Sequence, residues 1–481
     1  MNWWLLSPEI TLVAFAVIII FLDLAIQRKG ILAATSVIGL LVAMVFAVGL
    51  WDKTGVTALN GMLVIDRFSL FFQMFFPGVA ALVVLGSTDY ASRFSRFKGE
   101  YYALILLATT GMMFLASTGE LISIYVSLEL MSLSLYALTG FLRDPKSGEA
   151  GLKYLLLGAV ASAVLLYGLA LTFGITGTTH LAGIAAAVKG MGNAGENPAL
   201  LMAIAFIIAG FGFKIASVPF QMWVPDVYEG APTPITAFLS VASKAAGFAV
   251  LVRVFTVAFL SPGWLSQDWA MLFAVLSAVT MTLGNIVALM QTNIKRLLGY
   301  SSIAHAGYIM LGLAAIGSAG GGGLGQNGIL FYLAAYGITN LGAFIAIIAV
   351  SHRLDSDLIS DYAGMSQRSP LLAAALALGL ISLTGLPVSA GFWAKIYIFN
   401  SAVQEGFLWL VVIALLNSVI AAYYYLRIVK AMYVEEPTSK ESVASSTPVK
   451  VALVVCSIGV LYVGLLPGAV LRLIEAASIL L

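Results

Sequence analysis

Charge is scarce in this sequence: only 10% of its 481 residues are Asp, Glu, Lys or Arg, against 61% hydrophobic, with mean hydropathy +1.02. No soluble domain could cover that much apolar surface, so the chain reads as an all-α polytopic membrane protein whose first partner is the lipid bilayer. A formal net charge of +2 offers no electrostatic footprint for nucleic acid or for an acidic partner. A lone cysteine, Cys456, excludes a disulfide framework and any iron–sulfur cluster built by this chain alone. The three histidines, His180, His305 and His352, place no two on apolar helices to grip a haem. No cofactor and no redox metal is therefore expected in this chain, and any electron transfer belongs to others. The opening residues, Met1 to Glu9, lack the basic stretch and small-residue cleavage site of a signal peptide. The first helix is expected to be kept, with Trp3 and Trp4 at the interface.

What the chain has instead is one hydrophobic run after another, with 47 glycines to let helices approach closely in lipid. About fourteen transmembrane spans are predicted, at 9–27, 31–51, 68–88, 101–117, 121–141, 151–176, 199–223, 234–260, 269–290, 300–316, 328–350, 371–400, 407–433 and 450–473. The seventh and twelfth are broken by proline and glycine. With the amino terminus outside, sixteen lysines and arginines fall on the inner side, and only Lys53, Arg67, Lys189 and Arg472 fall outside. Both termini are then on the outer side. Residues 177–198 should hold a short surface helix, 317–327 a mobile glycine-rich connection, and 434–449 a polar inner loop.

The spans group by number. Residues 1–100 form a three-helix segment, 101–260 a first five-helix unit, 269–433 a second, and 450–473 a final span. The fourth member of each unit is the broken one. An odd number of spans inverts consecutive units, which is the inverted-repeat plan of secondary transporters.

The stretch 210–244 organises the rest. An apolar helix runs into Lys214 and breaks at Pro219, Pro225, Pro232 and Pro234; a second helix then carries Lys244. A charge at membrane depth costs roughly 2.5–3.5 kcal/mol, and a broken helix there needs protein or a water-filled cavity to satisfy its backbone. Glu129 sits mid-span, with Tyr125, Ser132 and Tyr136 on its face, a polar stripe roughly 17 Å long. Its natural partner is Lys214. Thr236 and Ser240 lie beneath Lys244, and Lys395 follows the second break, at Gly385-Leu386-Pro387. A lysine so placed can exchange a proton near neutral pH, and His305 suits a relay. Each could instead be a packing residue, but four mid-membrane charges would together waste roughly 10 kcal/mol or more. Asp226 and Glu229, beside prolines, read as caps. Asp23 and Arg253 read as snorkelling residues near span ends.

Three stretches carry a resemblance. They are Lys214-Ile-Ala-Ser-Val-Pro-Phe-Gln-Met-Trp-Val-Pro-Asp-Val-Tyr-Glu-Gly-Ala-Pro-Thr-Pro, Lys295-Arg-Leu-Leu-Gly-Tyr-Ser-Ser-Ile-Ala-His-Ala-Gly-Tyr, and Gly385-Leu-Pro through Gly-Phe-Trp-Ala-Lys395. Over nearly its whole length the sequence resembles the antiporter-like proton-pumping subunits of respiratory complex I, the NADH–quinone oxidoreductase. The resemblance implies that Glu129 and Lys214 form the input pair, that Lys244 connects, and that Lys395 leads to the outer side. It implies a bacterial inner-membrane location beside other membrane-arm subunits, with flavin, iron–sulfur clusters and quinone held elsewhere. Gln221 stands where the broad family often has histidine, so no relay role is carried to it. A sodium/proton antiporter and a passive assembly scaffold remain alternatives. One clear mid-membrane carboxylate against three lysines favours protons over sodium.

Overall fold

The structure, a computed structural model, describes residues 3–27, 29–94, 96–192, 197–318, 323–437 and 442–478. Arg28 and Lys440 of the inner basic set, residues 193–196 and 319–322 of two connections, and 438–441 of the polar loop lie outside the described residues.

Helices α1 (Ser7–Ala25), α2 (Gly30–Gly49) and α3 (Arg67–Gly86) make the amino-terminal segment. An antiparallel hairpin, β1 (Val56–Ala58) and β2 (Leu63–Ile65), links the last two; three-residue strands carry too little alternation to be legible in sequence. Next come α4 (Lys98–Ala116), α5 (Leu121–Thr139) and α6 (Pro145–Thr176). Pro145 fills the first position of α6, Asp144 accepts from the Ser147 N–H at 2.7 Å, and left-handed Gly177 ends it. The expected surface helix is α7 (Leu181–Lys189), which buries Leu181, Ile184 and Val188 along one face.

The first break separates α8 (Pro198–Ile215) from α9 (Trp223–Gly230), α10 (Thr233–Phe238) and α11 (Lys244–Val257). The second half holds α12 (Gly263–Ala288), α13 (Ile294–Ser318), α14 (Gly323–Leu354), the short α15 (Met365–Arg368), α16 (Pro370–Thr384), α17 (Ala390–Gln404) and α18 (Leu408–Tyr433). The last two helices are α19 (Thr447–Leu465) and α20 (Pro467–Ala477). Thirteen helices among the described residues are long and apolar enough to cross a membrane. The fourteenth expected span is the α16–α17 pair, which Gly385 divides into two halves of 15 residues each, neither of which would suffice alone.

Burial sorts the helices into layers. The hydrophobic windows of Thr233–Val257, α13 and α14 are 100%, 94% and 89% buried, whereas those of α1, α2, α18 and α19 are 39% buried. The broken helices and the charges they carry therefore sit around an inner wall of α10–α11, α13 and α14.

Candidate functional site

Local geometry sets each charge. α8 stops one residue after Lys214, where Ala216 is left-handed with φ 62°, and the loop is pinned at two points. The Trp223 indole donates to the Phe213 carbonyl at 3.0 Å, and the Val218 N–H donates to the Thr280 hydroxyl at 3.0 Å. Lys214 is 3% exposed. Its ammonium lies over the rings of Tyr136, Tyr154 and Phe213 at 5.3, 5.4 and 5.8 Å, a cation–π cage, and it makes no hydrogen bond. Glu129 is half-buried, with Oε1 enclosed and unpartnered, as are the Tyr136 and Tyr154 hydroxyls. No ion pair within 4 Å joins Glu129 to Lys214 among the described residues. The expected partners share Tyr136, two turns along from Glu129, rather than a direct contact. Gly158 makes room for it, because a Cβ there would fall 1.9 Å from the Tyr136 hydroxyl. Ser132, expected on the stripe, bonds its own helix at the Leu128 carbonyl.

Lys244 follows a π turn at Leu239–Ser243, a form found often at functional sites. That wider turn shifts the helical phase, so the expected alignment with Thr236 and Ser240 fails. Thr236 donates to the Tyr228 carbonyl, and Ser240 accepts from Asn340 at 2.7 Å. Lys244 instead bonds the hydroxyl and carbonyl of Ser302 on α13. The Tyr336 hydroxyl donates to the Ser302 hydroxyl at 3.2 Å, and Tyr228 meets it at 3.3 Å.

His305, 4% exposed, sits one turn beyond Ser302. Its ring contacts Tyr336 with centroids 4.9 Å apart, and its nitrogens meet the hydroxyls of Tyr332 at 2.7 Å and Tyr425 at 3.2 Å. A small cavity lined by His305, Tyr332, Tyr336, Thr339, Ser382 and Lys395 joins this cluster to the second break. There Lys395 donates to the Thr384 carbonyl at 2.8 Å and the Ser418 hydroxyl at 3.1 Å, and lies 5.1 Å from the Tyr308 ring. The structure thus brings Lys244, His305 and Lys395 into one polar strip, while Glu129 and Lys214 gather around Tyr136. Sequence reasoning missed the hydroxyl carriers Ser302, Tyr332, Tyr336 and Tyr425. Their only signal was polar residues within apolar runs; Ser302, Tyr332 and Tyr336 fall in windows that turn out to be almost wholly buried, Tyr425 in one that is not.

Two expectations are corrected. Arg253 does not snorkel: it is 1% exposed, donates twice to the Asp66 carboxylate at 2.9 Å and once to the Ala116 carbonyl at 2.9 Å. Asp226 and Glu229 do not cap a helix. Arg296 bridges both, at 2.7 and 3.1 Å, while Lys153 pairs with Asp226 at 2.8 Å and Lys146 with Glu229 at 3.0 Å. Partial burial pushes both carboxyls up, but the hydrogen bonds from these cations outweigh it and hold each below its ordinary value. Asp23 does lie near a span end, paired with Lys29 at 2.6 Å. Beside the network a polar cavity of about 390 Å³, lined by Arg93, Lys146, Glu229, Thr233, Lys295 and Asp357 among others, opens at the foot of α10.

Buried lysines at the breaks of membrane helices, strung along hydroxyls and an imidazole, define an antiporter-like membrane protein. Residues 118–421 match the family model described as NADH:quinone oxidoreductase/Mrp antiporter, TM. The chain belongs to that family. It is 46% identical over 478 residues to NADH-quinone oxidoreductase subunit N of Dehalococcoides mccartyi, covering 98% of this chain and 99% of the relative. Among solved structures it resembles a chain of respiratory complex I from Thermus thermophilus with bound aureothin. The TM-score is 0.80 at 34% identity, over 98% of this chain and 99% of the other. A chain of the archaeal membrane-bound sulfane sulfur reductase superposes with a TM-score of 0.85 at 27% identity, over 98% and 96%.

Proposed function

We infer that this chain is a membrane subunit of an NADH:quinone oxidoreductase and moves protons across the bilayer, driven by electron transfer carried out in other subunits. It is a non-redox translocase, and flavin, iron–sulfur clusters and quinone belong to its partners in the membrane arm and beyond. The basic face is cytoplasmic and both termini are on the periplasmic side of a bacterial inner membrane, a reading that the charge asymmetry supports. Residues 101–260 and 269–433 act as two inverted units. Glu129 and Lys214 take up the proton, Lys244 passes it through the Ser302 and His305 cluster, and Lys395 delivers it to the outer side.

The observation that carries this reading is the polar strip itself. Lys244, Ser302, Tyr336, His305 and Lys395 are buried, yet every neighbouring pair is in hydrogen-bond or ring contact or shares the small cavity. A scaffold would gain nothing from it. A sodium path is disfavoured at the second break, because the Lys395 ammonium already occupies the Thr384 carbonyl that a metal cation would seek.

The test uses assembled complexes in proteoliposomes. Glu129→Gln and Lys214→Met should assemble but lose most proton translocation per NADH oxidised. Lys395→Met cannot bind a proton, and Lys395→Arg cannot release one at working pH, so both should fail. Undiminished pumping at equal assembly in all four variants would refute the assignment.

A further inference from the structure

A second set of buried, unpartnered polar atoms lies away from the lysine strip, in the amino-terminal segment. Glu9, in the first turn of α1, is 1% exposed, and Gln73 on α3 is fully buried. The Gln73 amide N–H donates to Glu9 Oε1 at 2.8 Å and to the Ser117 hydroxyl at 3.2 Å. Two oxygens are left over, Glu9 Oε2 and Gln73 Oε1, both enclosed and both without a partner.

Donor and acceptor counting makes the pattern specific. An ionised carboxylate only accepts, and so does an amide oxygen. With Glu9 charged, the pair would hold two unanswered buried acceptors and a negative charge met by a single amide N–H. One proton on Oε2 turns it into a donor, and the leftover amide oxygen of its partner is an unused acceptor. A neutral carboxylic acid and an amide are complementary in this way, one N–H and one O–H answering two oxygens.

Among the described residues Glu9 has no ion pair. The 3-10 turn at Trp3–Leu6 and α2 carry no charged side chain, and Lys98 and Glu100 of α4 lie at the opposite end of that helix from Ser117. Asp66 is committed to Arg253. Arg67 lies six residues before Gln73, and Asp52 and Lys53 lie in the loop after α2. The start of a helix favours an anion, but that effect is small beside the cost of burying an unpaired carboxylate.

We propose that Glu9 rests as a neutral carboxylic acid bound to Gln73, forming a proton-holding site on the outer side of the amino-terminal segment, separate from the lysine strip. Its position follows from the chain: Glu9, Gln73 and Ser117 all lie near the helix ends on the face opposite the basic one. The site does not depend on the function proposed above, since it concerns a resting protonation state.

Infrared spectroscopy of the complex containing this chain tests it. At neutral pH, Glu9→Gln should remove one protonated-carboxyl C=O band, and Gln73→Leu should shift that band by deleting its hydrogen bond. Assembly of Glu9→Gln should be unchanged, because an amide imitates the neutral acid. Identical carboxyl spectra in the wild type and Glu9→Gln would overturn the proposal. So would failure of Glu9→Gln to assemble while Glu9→Asp assembles, since that would mean the charge is needed.

Discussion

Arg253 and Lys214 are buried to the same degree and held in opposite ways. The guanidinium fork is fully answered by the Asp66 carboxylate and the Ala116 carbonyl, all at 2.9 Å, which is the bidentate geometry that suits a permanent charge. Asp66 also caps α3 through the Ser69 N–H at 2.7 Å. Arg253→Met should therefore strand a buried carboxylate and cost about 3–5 kcal/mol, read as a lower unfolding temperature of the detergent-solubilised protein. Adding Asp66→Asn should recover part of the loss, because the two changes share one interaction. Lys214→Met loses no hydrogen bond and should leave that temperature within error of the wild type. If Lys214→Met unfolds as early as Arg253→Met, Lys214 is a structural ion after all. A charge held only by ring faces can gain and lose a proton without breaking a hydrogen bond, which suits a transfer site.

At the scale of the element, the two breaks are built from different parts. The first ends on left-handed Ala216 behind Lys214, and the second on Gly385, φ 88°, ahead of Lys395. Gly391, one residue into α17, crosses so close to α16 that a Cβ would stand 1.8 Å from the Ser382 carbonyl oxygen. The Ser382 hydroxyl in turn receives the Gly391 N–H at 3.0 Å. Gly391→Ala should force the half-helices apart, lower assembled protein several-fold in membranes, and move Lys395 off the Thr384 carbonyl. Wild-type levels and proton transport in that variant would show that the crossing has slack. The breaks were legible because proline and glycine remove hydrogen bonds wherever they fall. The π turn before Lys244 was not, since Leu239–Ser243 contains no residue that demands it, and the displaced lysine found Ser302 instead of Ser240. The Arg253–Asp66 pair was hidden for another reason. Its members are 187 residues apart, and Arg253 alone read as a charge near a span end.

At the scale of the whole molecule, the basic face does more than orient the chain. Arg296 opens α13 in the second half and reaches Asp226 and Glu229 on α9 in the first half, which Lys153 and Lys146 of α6 also hold. The cluster thus ties the two halves beside the cavity at the foot of α10. Both carboxyls sit below their ordinary values, so the folded protein binds fewer protons there than the unfolded chain does. The stabilisation is then fully present above about pH 4.5, near the ordinary carboxylate values, and is lost as pH falls through the lowered ones. Half-exposed pairs are worth no more than about 1 kcal/mol each, so Arg296→Met should lower stability by roughly 1–2 kcal/mol at pH 7. That difference should hold down to about pH 5, shrink at lower pH, and shrink also at high salt. Unfolding temperatures of wild type and Arg296→Met, measured from pH 7 to 3.5 at low and high ionic strength, give the answer. Two parallel curves across the whole range would mean that Arg296 acts by packing alone, and that the halves are joined by their buried helices rather than by this face.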